Sequence, residues 1–170
     1  MTDDAVRPEP GVGGSPAIRR LGPADPALAH ALLDVFAEAF EDPDRYAAAR
    51  PDGAYLERLL GSETFVAIVA LQDGAVVGGL AAYELRKLER ATSELYLYDL
   101  AVRAEHRRRG VATALIDALR AVARERGAAV VFVQADHGDD PAIALYTKLG
   151  TREDVMHFDI APGPRPPAVP

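Results

Sequence analysis

The stretch whose reading decides the fold is residues 98–113, YDLAVRAEHRRRGVAT. An apolar strand ends with LAV, a short polar loop follows, and Arg107, Arg108 and Arg109 run into Gly110, after which a strongly helical segment begins at once. The N–H groups of a helix's first turn have no intrahelical partners, and the helix dipole adds roughly half a positive charge there. Glycine lets the backbone approach a ligand closely, and guanidinium groups match phosphate oxygens. The stretch therefore reads as an anion site suited to a diphosphate.

Working outward, residues 94–102 (ELYLYDLAV) read as a strand and 110–126 as a helix with Val111, Leu115, Leu119 and Val122 on one stripe. Arg120, Arg124 and Arg126 near its end and Gly127 beyond it mark the helix C-terminus. Residues 129–135 (AVVFVQA) form a short, continuously apolar strand of the kind covered on both faces. Then come an acidic loop over 136–140, a helix over 141–149 opened by Pro141 and closed by Gly150, and a last strand over 151–160. Upstream, 64–71 and 75–85 are β in pattern and make a hairpin closed at Asp73-Gly74, with Gly78-Gly79 marking a bulge or a close approach. Before it stand a strand over 17–21, a helix opened by Asp25-Pro26 with Leu28, Leu32, Val35, Phe36, Ala39 and Phe40 at helical spacing, and a helix over 53–60 with Tyr55, Leu56, Leu59 and Leu60 on one side.

The order β-α-α-β-β-β-α-β-α-β predicts an α/β fold with a mixed central sheet, helices on both faces, and Gly110 at the carboxyl-end crevice of a parallel strand pair. Residues 1–16 read as a disordered lead-in, 17–160 as a single domain and 161–170 as a Pro-rich tail. Without cysteine the chain has no disulfide, thiolate metal site or cysteine nucleophile, and its four histidines show no metal spacing. A net charge of −7 argues against a nucleic-acid partner and fits a cationic one, although from composition alone keeping the protein soluble is an equal reading of it. No apolar run approaches the roughly 18 residues of a membrane span, and the N-terminal residues lack the pattern of a secretory signal, so a cytoplasmic location is expected.

Arg107-Arg108-Arg109-Gly110-Val111-Ala112 matches the [RQ]xxGx[GA] signature of the GNAT superfamily of N-acetyltransferases, and GDDPAIALYTKLG (138–150) resembles that family's second cofactor segment. YLYDLAV, EHRRRGVATALI, VQADHGDDPAIALYTKLG and REDVMHFDI together look like the GNAT-type aminoglycoside 3-N-acetyltransferases, the gentamicin-resistance enzymes. The likeness covers residues 18–160. It implies the GNAT fold, with a V-shaped splay between the fourth and fifth strands, acetyl-CoA as cofactor, a polycationic small-molecule acceptor, and direct attack of the acceptor amine on the thioester. Relatives often dimerise, which leaves a homodimer open.

Residue by residue, the resemblance implies that Arg107, Arg108, Arg109, Gly110, Val111, Ala112 and Thr113 hold the diphosphate, mostly through main chain. Backbone groups of Leu100, Ala101 and Val102, freed where the strand bulges, meet pantetheine and the acetyl carbonyl. Tyr146 stands where the superfamily carries the tyrosine that protonates the departing thiolate; the competing reading is a core tyrosine beside Ile143, Leu145 and Leu149. Asp139 replaces an asparagine that lies beside pantetheine in many relatives, and a carboxylate cannot donate as an amide does, so capping the following helix or facing the substrate are its alternatives.

For the general base the candidates are Asp99, Asp136, Glu84 and Glu94, with Asp99 favoured and a structural hydrogen-bonded role close behind. Tyr96 occupies the position where some relatives place a glutamate base, so that carry-over fails. Regular alternation puts Asp99 on the face of Leu95 and Leu97 unless the bulge re-aims it. Asp136, Asp139, Glu84 and Glu153, with Asp140 and Asp154 nearby, are the carboxylates available to a polycation. Acetylation of another small polyamine or a protein N-terminus, and a non-catalytic acyl-CoA-binding module, are the competing functions.

Overall fold

The computed structural model describes residues 14–41, 44, 46 and 50–163. The lead-in over 1–13 and the tail over 164–170 lie outside the described residues. The chain makes two compact units, one ending at Gln134 and one beginning at Ala135.

The first unit is built on a five-stranded sheet in the order β1-β2-β3-β4-β5, comprising β1 (Ala17–Arg20), β2 (Phe65–Gln72), β3 (Ala75–Arg86), β4 (Ser93–Val102) and β5 (Ala128–Val133). Successive pairs are antiparallel except β4 with β5, which are parallel because α3 (Val111–Arg126) carries the chain across between them. Among the described residues this unit also has the helices α1 (Pro26–Ala39) and α2 (Gly53–Leu60), with Asp44 and Tyr46 helical between them, and a 3-10 turn (Ala104–His106) breaks the loop after β4. The β2–β3 hairpin closes as expected at Asp73 and Gly74, both at positive φ (51° and 80°), the twist that suits a two-residue turn between right-twisted strands.

Alternation divides the core in two. Phe65, Ala67, Val69, Ala81 and Ala101 face α1 and α2 and pack against Leu32, Val35, Phe36, Leu56 and Leu60. The intervening residues, among them Val66, Ile68, Leu80, Leu95 and Leu97, are almost wholly buried on the opposite face. There α3 covers them with Leu115, Leu119 and Val122. Each such side chain contributes roughly 1.5–3 kcal/mol of transfer free energy, so the two helical layers hold the sheet from both sides. Two apolar residues expected on helix stripes lie at their edges instead: Phe40 and Tyr55 are exposed. Asp25 is the N-cap of α1 by position, but its carboxylate accepts from Gly22 N–H at 2.9 Å and pairs with Arg19 rather than bonding the first turn.

Gly78 and Gly79 do mark both features anticipated for them. The register slips between Ala70 and Leu71, leaving Val77 as the extra residue on β3. A Cβ on Gly79 would stand 2.5 Å from Leu32 Cδ1 and 2.7 Å from the Ile68 carbonyl oxygen, so α1 lies against bare backbone there.

Two strand expectations are corrected. The fifth strand ends at Val133, and Ala129 and Val130 on it are exposed. Its apolar run belongs to an edge strand, not one covered on both faces. In the second unit, α4 (Asp140–Leu149) forms as expected, but residues 151–160 make no strand: they have no regular secondary structure and are exposed throughout. Alternation such as that of Met156, Phe158 and Ile160 becomes a strand only where a ladder satisfies the backbone, and no ladder is formed by these residues.

Replacing Gly79 with alanine is expected to lower the unfolding free energy by about 1–3 kcal/mol in urea denaturation. Adding Leu32→Ala to G79A does not restore stability, because the Ile68 carbonyl oxygen remains in the way.

Candidate active site

The site begins with one extra residue. In the β3–β4 ladder Ala82 faces Leu97 and Ala81 faces Asp99, so Tyr98 is the bulged residue. Paired residues share a face, and Ala81 and Ala82 necessarily lie on opposite faces. Asp99 therefore leaves the face of Leu95 and Leu97 and joins that of Ala81, Tyr83 and Tyr96. Both sequence possibilities for Asp99 thus resolve to the re-aimed one.

Rings surround it. Tyr83 and Tyr98 meet edge to face with centroids 5.7 Å apart, Tyr98 and Tyr96 likewise at 5.5 Å, and Tyr96 stacks on Phe132 at 4.8 Å and 7°. The Tyr96 hydroxyl donates to Gln134 Oε1 at 2.8 Å. Burial first, then the neighbouring phenols and the negative charge of Asp99, raises the Tyr83 and Tyr96 hydroxyls above the ordinary tyrosine value. Sequence reasoning set Tyr96 aside and did not single out Tyr83 and Tyr98. The two-residue spacing of Tyr96 and Tyr98 was the available signal, but only the bulge brings Asp99 among them.

The same strand provides the opening for a cofactor. β4 pairs with β5 only as far as Leu97 with Val133, while Leu100, Ala101 and Val102 remain paired to β3 alone. Beyond Leu97 the ladder stops because β5 ends at Val133, and β4's far edge has no ladder partner there among the described residues. Past β4 the backbone is left-handed at Arg108 (φ 62°) and at Gly110 (φ 81°), the residue preceding α3. A non-glycine residue there costs roughly 1 kcal/mol, so the loop conformation is held by its surroundings. No side chain caps α3. Its first-turn N–H groups, at Val111, Ala112 and Thr113, accordingly suit an anion, with the exposed Arg108 and Arg109 beside them. Arg107 acts within the protein instead, since its Nε donates to the Val102 carbonyl at 2.9 Å and ties the loop to the end of β4.

Of the other candidates for the base, Glu94 lies on this face, opposite Leu85, and Glu84 does not. Glu84 pairs with Leu95 and so lies on the α3 side, where Arg126 donates to its carboxylate at 2.6 Å and to the Glu63 carbonyl at 2.6 Å. Burial alone would raise Glu84, but the hydrogen bond from Arg126 and the charges of Arg126 and Arg86 hold it below the ordinary carboxylate value. Glu94 is paired with Lys87 at 3.1 Å.

In the second unit Asp139 caps α4, accepting from Ala142 N–H at 3.1 Å, one of the alternatives left by the sequence. Tyr146 lies on α4 and is partly buried; that burial and the charge of Asp139 push its hydroxyl up to about 12. Asp136 and Glu153 are exposed, and Asp154 pairs with Arg152 at 2.6 Å.

A strand that runs through a left-handed loop into an uncapped helix, with a crossover to a parallel neighbour, is the arrangement of an acyl-CoA-type transferase. Residues 27–151 match the acetyltransferase (GNAT) family, and the chain belongs to that family. The crystal structure of an aminoglycoside acetyltransferase from an uncultured soil metagenomic sample is similar at 54% identity and a TM-score of 0.86, covering 88% of this chain and 100% of that one. A second soil metagenomic aminoglycoside acetyltransferase, solved in complex with sisomicin, is 33% identical with a TM-score of 0.79 over 85% of this chain and 95% of its own. N-acetyltransferase family 8 member 2 of Rattus norvegicus is 31% identical over 90 residues, 53% of this chain and 40% of that protein. The chain thus spans less than half the length of the curated relatives it matches. GNAT acetyltransferases use acetyl-CoA, and the uncapped start of α3 beside Arg108 and Arg109 has the chemistry to suit a diphosphate. Among the described residues no helix is long and apolar enough to cross a membrane.

At Gly110 an added Cβ meets nothing within 4 Å, so Gly110→Ala is a purely conformational change. It is expected to weaken coenzyme A binding about fivefold or more, read by calorimetry, from roughly 1 kcal/mol of left-handed strain. For Glu84→Gln the sign follows from its depressed value: the ionised carboxylate stabilises the fold above pH about 4.5, and the benefit disappears as pH falls through the folded value. E84Q is expected to cost about 1–3 kcal/mol near pH 7 and to match the wild type in acid-side thermal melts.

Proposed function

We propose that this acetyltransferase acetylates an aminoglycoside, at the 3-amino group of the 2-deoxystreptamine ring, and so confers resistance. The observation that carries this reading is 54% identity to an aminoglycoside acetyltransferase along that protein's whole length. The choice of the 3-amino group rests on the YLYDLAV, QADHGDDPA and EDVMHFD stretches. A homodimer rests on the same likeness.

When bound, acetyl-CoA supplies the acyl group as a thioester. Main-chain groups from Arg108 to Thr113 would hold its diphosphate, with Arg107 bracing the loop from within, and the edge of β4 at Leu100, Ala101 and Val102 would offer backbone groups to pantetheine and to the acetyl carbonyl. An aminoglycoside amine is largely protonated at pH 7 and must lose a proton before it can attack. Asp99, turned by the bulge onto the tyrosine face, takes that proton or holds the neighbouring ammonium. Asp136 and Glu153 supply further negative charge for a polycation.

Tyr146 gives its hydroxyl to the departing thiolate. A phenol near pKa 12 facing a thiol of roughly 8.5 would surrender its proton uphill by about 5 kcal/mol, so its part is a hydrogen bond to the developing negative charge rather than full transfer before the bond breaks.

Incubating the protein with acetyl-CoA and gentamicin should release free thiol, and NMR should place the acetyl group on the 3-amino nitrogen. Thiol release only with spermidine or with an N-terminal peptide would move the acceptor to another class, and release with none of them would mark a binding module. Tyr146→Phe is expected to lower kcat about tenfold to a hundredfold with little change in KM. Asp99→Asn should lower kcat and remove the acid limb of the pH–rate profile; unchanged kinetics would take Asp99 out of the site.

A further inference from the structure

The ring contacts on the α1/α2 face form one unbroken strip, Phe65–Tyr83–Tyr98–Tyr96–Phe132, crossing four strands. Its ends are fixed. Phe65 is buried, and Tyr96 is stacked on Phe132 and hydrogen-bonded to Gln134. Its middle is open: Tyr98 is 58% exposed and Tyr83 37%.

Packing does not account for Tyr98. A bulged residue on a central strand that points outward is served as well by any polar side chain, and an exposed phenol ring covers no core. Yet Tyr98 is held edge to face on both sides, at 82° to Tyr83 and 75° to Tyr96, so its ring plane is set before any ligand arrives. The next residue in the chain is Asp99, on the same face.

We propose that Tyr83 and Tyr98 form an aromatic seat for one sugar ring of the amine acceptor, with Asp99 taking an ammonium group of that ring, and that Tyr98 sets the preference for cyclic over linear polyamines. This rests on the acceptor being an aminoglycoside. An amino sugar offers the two features that the corner matches: an apolar C–H face for a phenol ring, and a cation for the ring's negative π face and for a carboxylate. A linear polyamine carries comparable charge but no ring face, so it gains from Asp99 and little from the tyrosines. The chain's net charge of −7 attracts both kinds of amine and does not separate them.

The test uses the full chain with sisomicin and spermidine as acceptors. Tyr98→Leu is expected to raise KM for sisomicin about tenfold, with kcat changed less than about threefold and KM for acetyl-CoA unchanged. Tyr98→Phe, which keeps the ring, should stay within about twofold of wild type, and KM for spermidine should move less than about twofold in either variant. An unchanged sisomicin KM in Y98L, while the wild type turns sisomicin over, overturns the seat and leaves the acceptor reading intact. Should the wild type acetylate no aminoglycoside, the acceptor reading falls, and calorimetric binding of sisomicin then decides the seat. A Kd about tenfold weaker in Y98L than in wild type supports it; equal Kd values, or no binding to the wild type, overturn it. Should Y98L fail to fold, Tyr83→Leu carries the same expectation and the same refutation.

Discussion

One inserted residue in a hydrogen-bond ladder sets the character of the site. A strand alternates its side chains strictly, so without Tyr98 as a bulge Asp99 would point with Leu95 and Leu97 into the layer beneath α3, where an ionised carboxylate is costly. The bulge turns it to the other face and places Tyr96, Tyr98 and Asp99 together there. Bulges also bend and twist the strand that carries them. Here the insertion comes directly after Leu97, the last β4 residue paired with β5.

That coincidence links packing to chemistry. At the end of β4 the Arg103 N–H still donates to the Val77 carbonyl of β3, and the Val102 carbonyl accepts from Arg107 Nε in the following loop. These bonds hold the turn from β4 into the loop and present Gly110 and the start of α3 on a fixed base. The glycine pair on β3 contributes on the tyrosine side of the sheet, because the bare backbone at Gly79 lets α1 approach that same face closely.

Electrostatics sorts the carboxylates that composition alone makes look alike. Glu84 and Glu94 are committed to Arg126 and Lys87, which tie strand ends to a helix and a loop, while Asp139 spends its oxygen on the first turn of α4. Asp99 lies among phenol rings whose hydroxyls are raised chiefly by burial, with its charge adding to the effect. None of this sorting is visible in charge counts, since an ion pair is a property of distance.

The sequence by itself determined the elements and their order. The stripes of α1 and α3, the Asp73-Gly74 turn and the arginine run into Gly110 are local signals, written in a period of about 3.6 or 2 residues or in a single backbone conformation. It also determined the family, because RRRGVA and the surrounding stretches are contiguous. Tertiary structure decided the rest. The face on which Asp99 lies, the place where β4 leaves β5, the strip of rings drawn from four strands, and the failure of residues 151–160 to form a strand all depend on pairing register. Register is a relation between distant segments, and one slipped residue reverses every side chain beyond it.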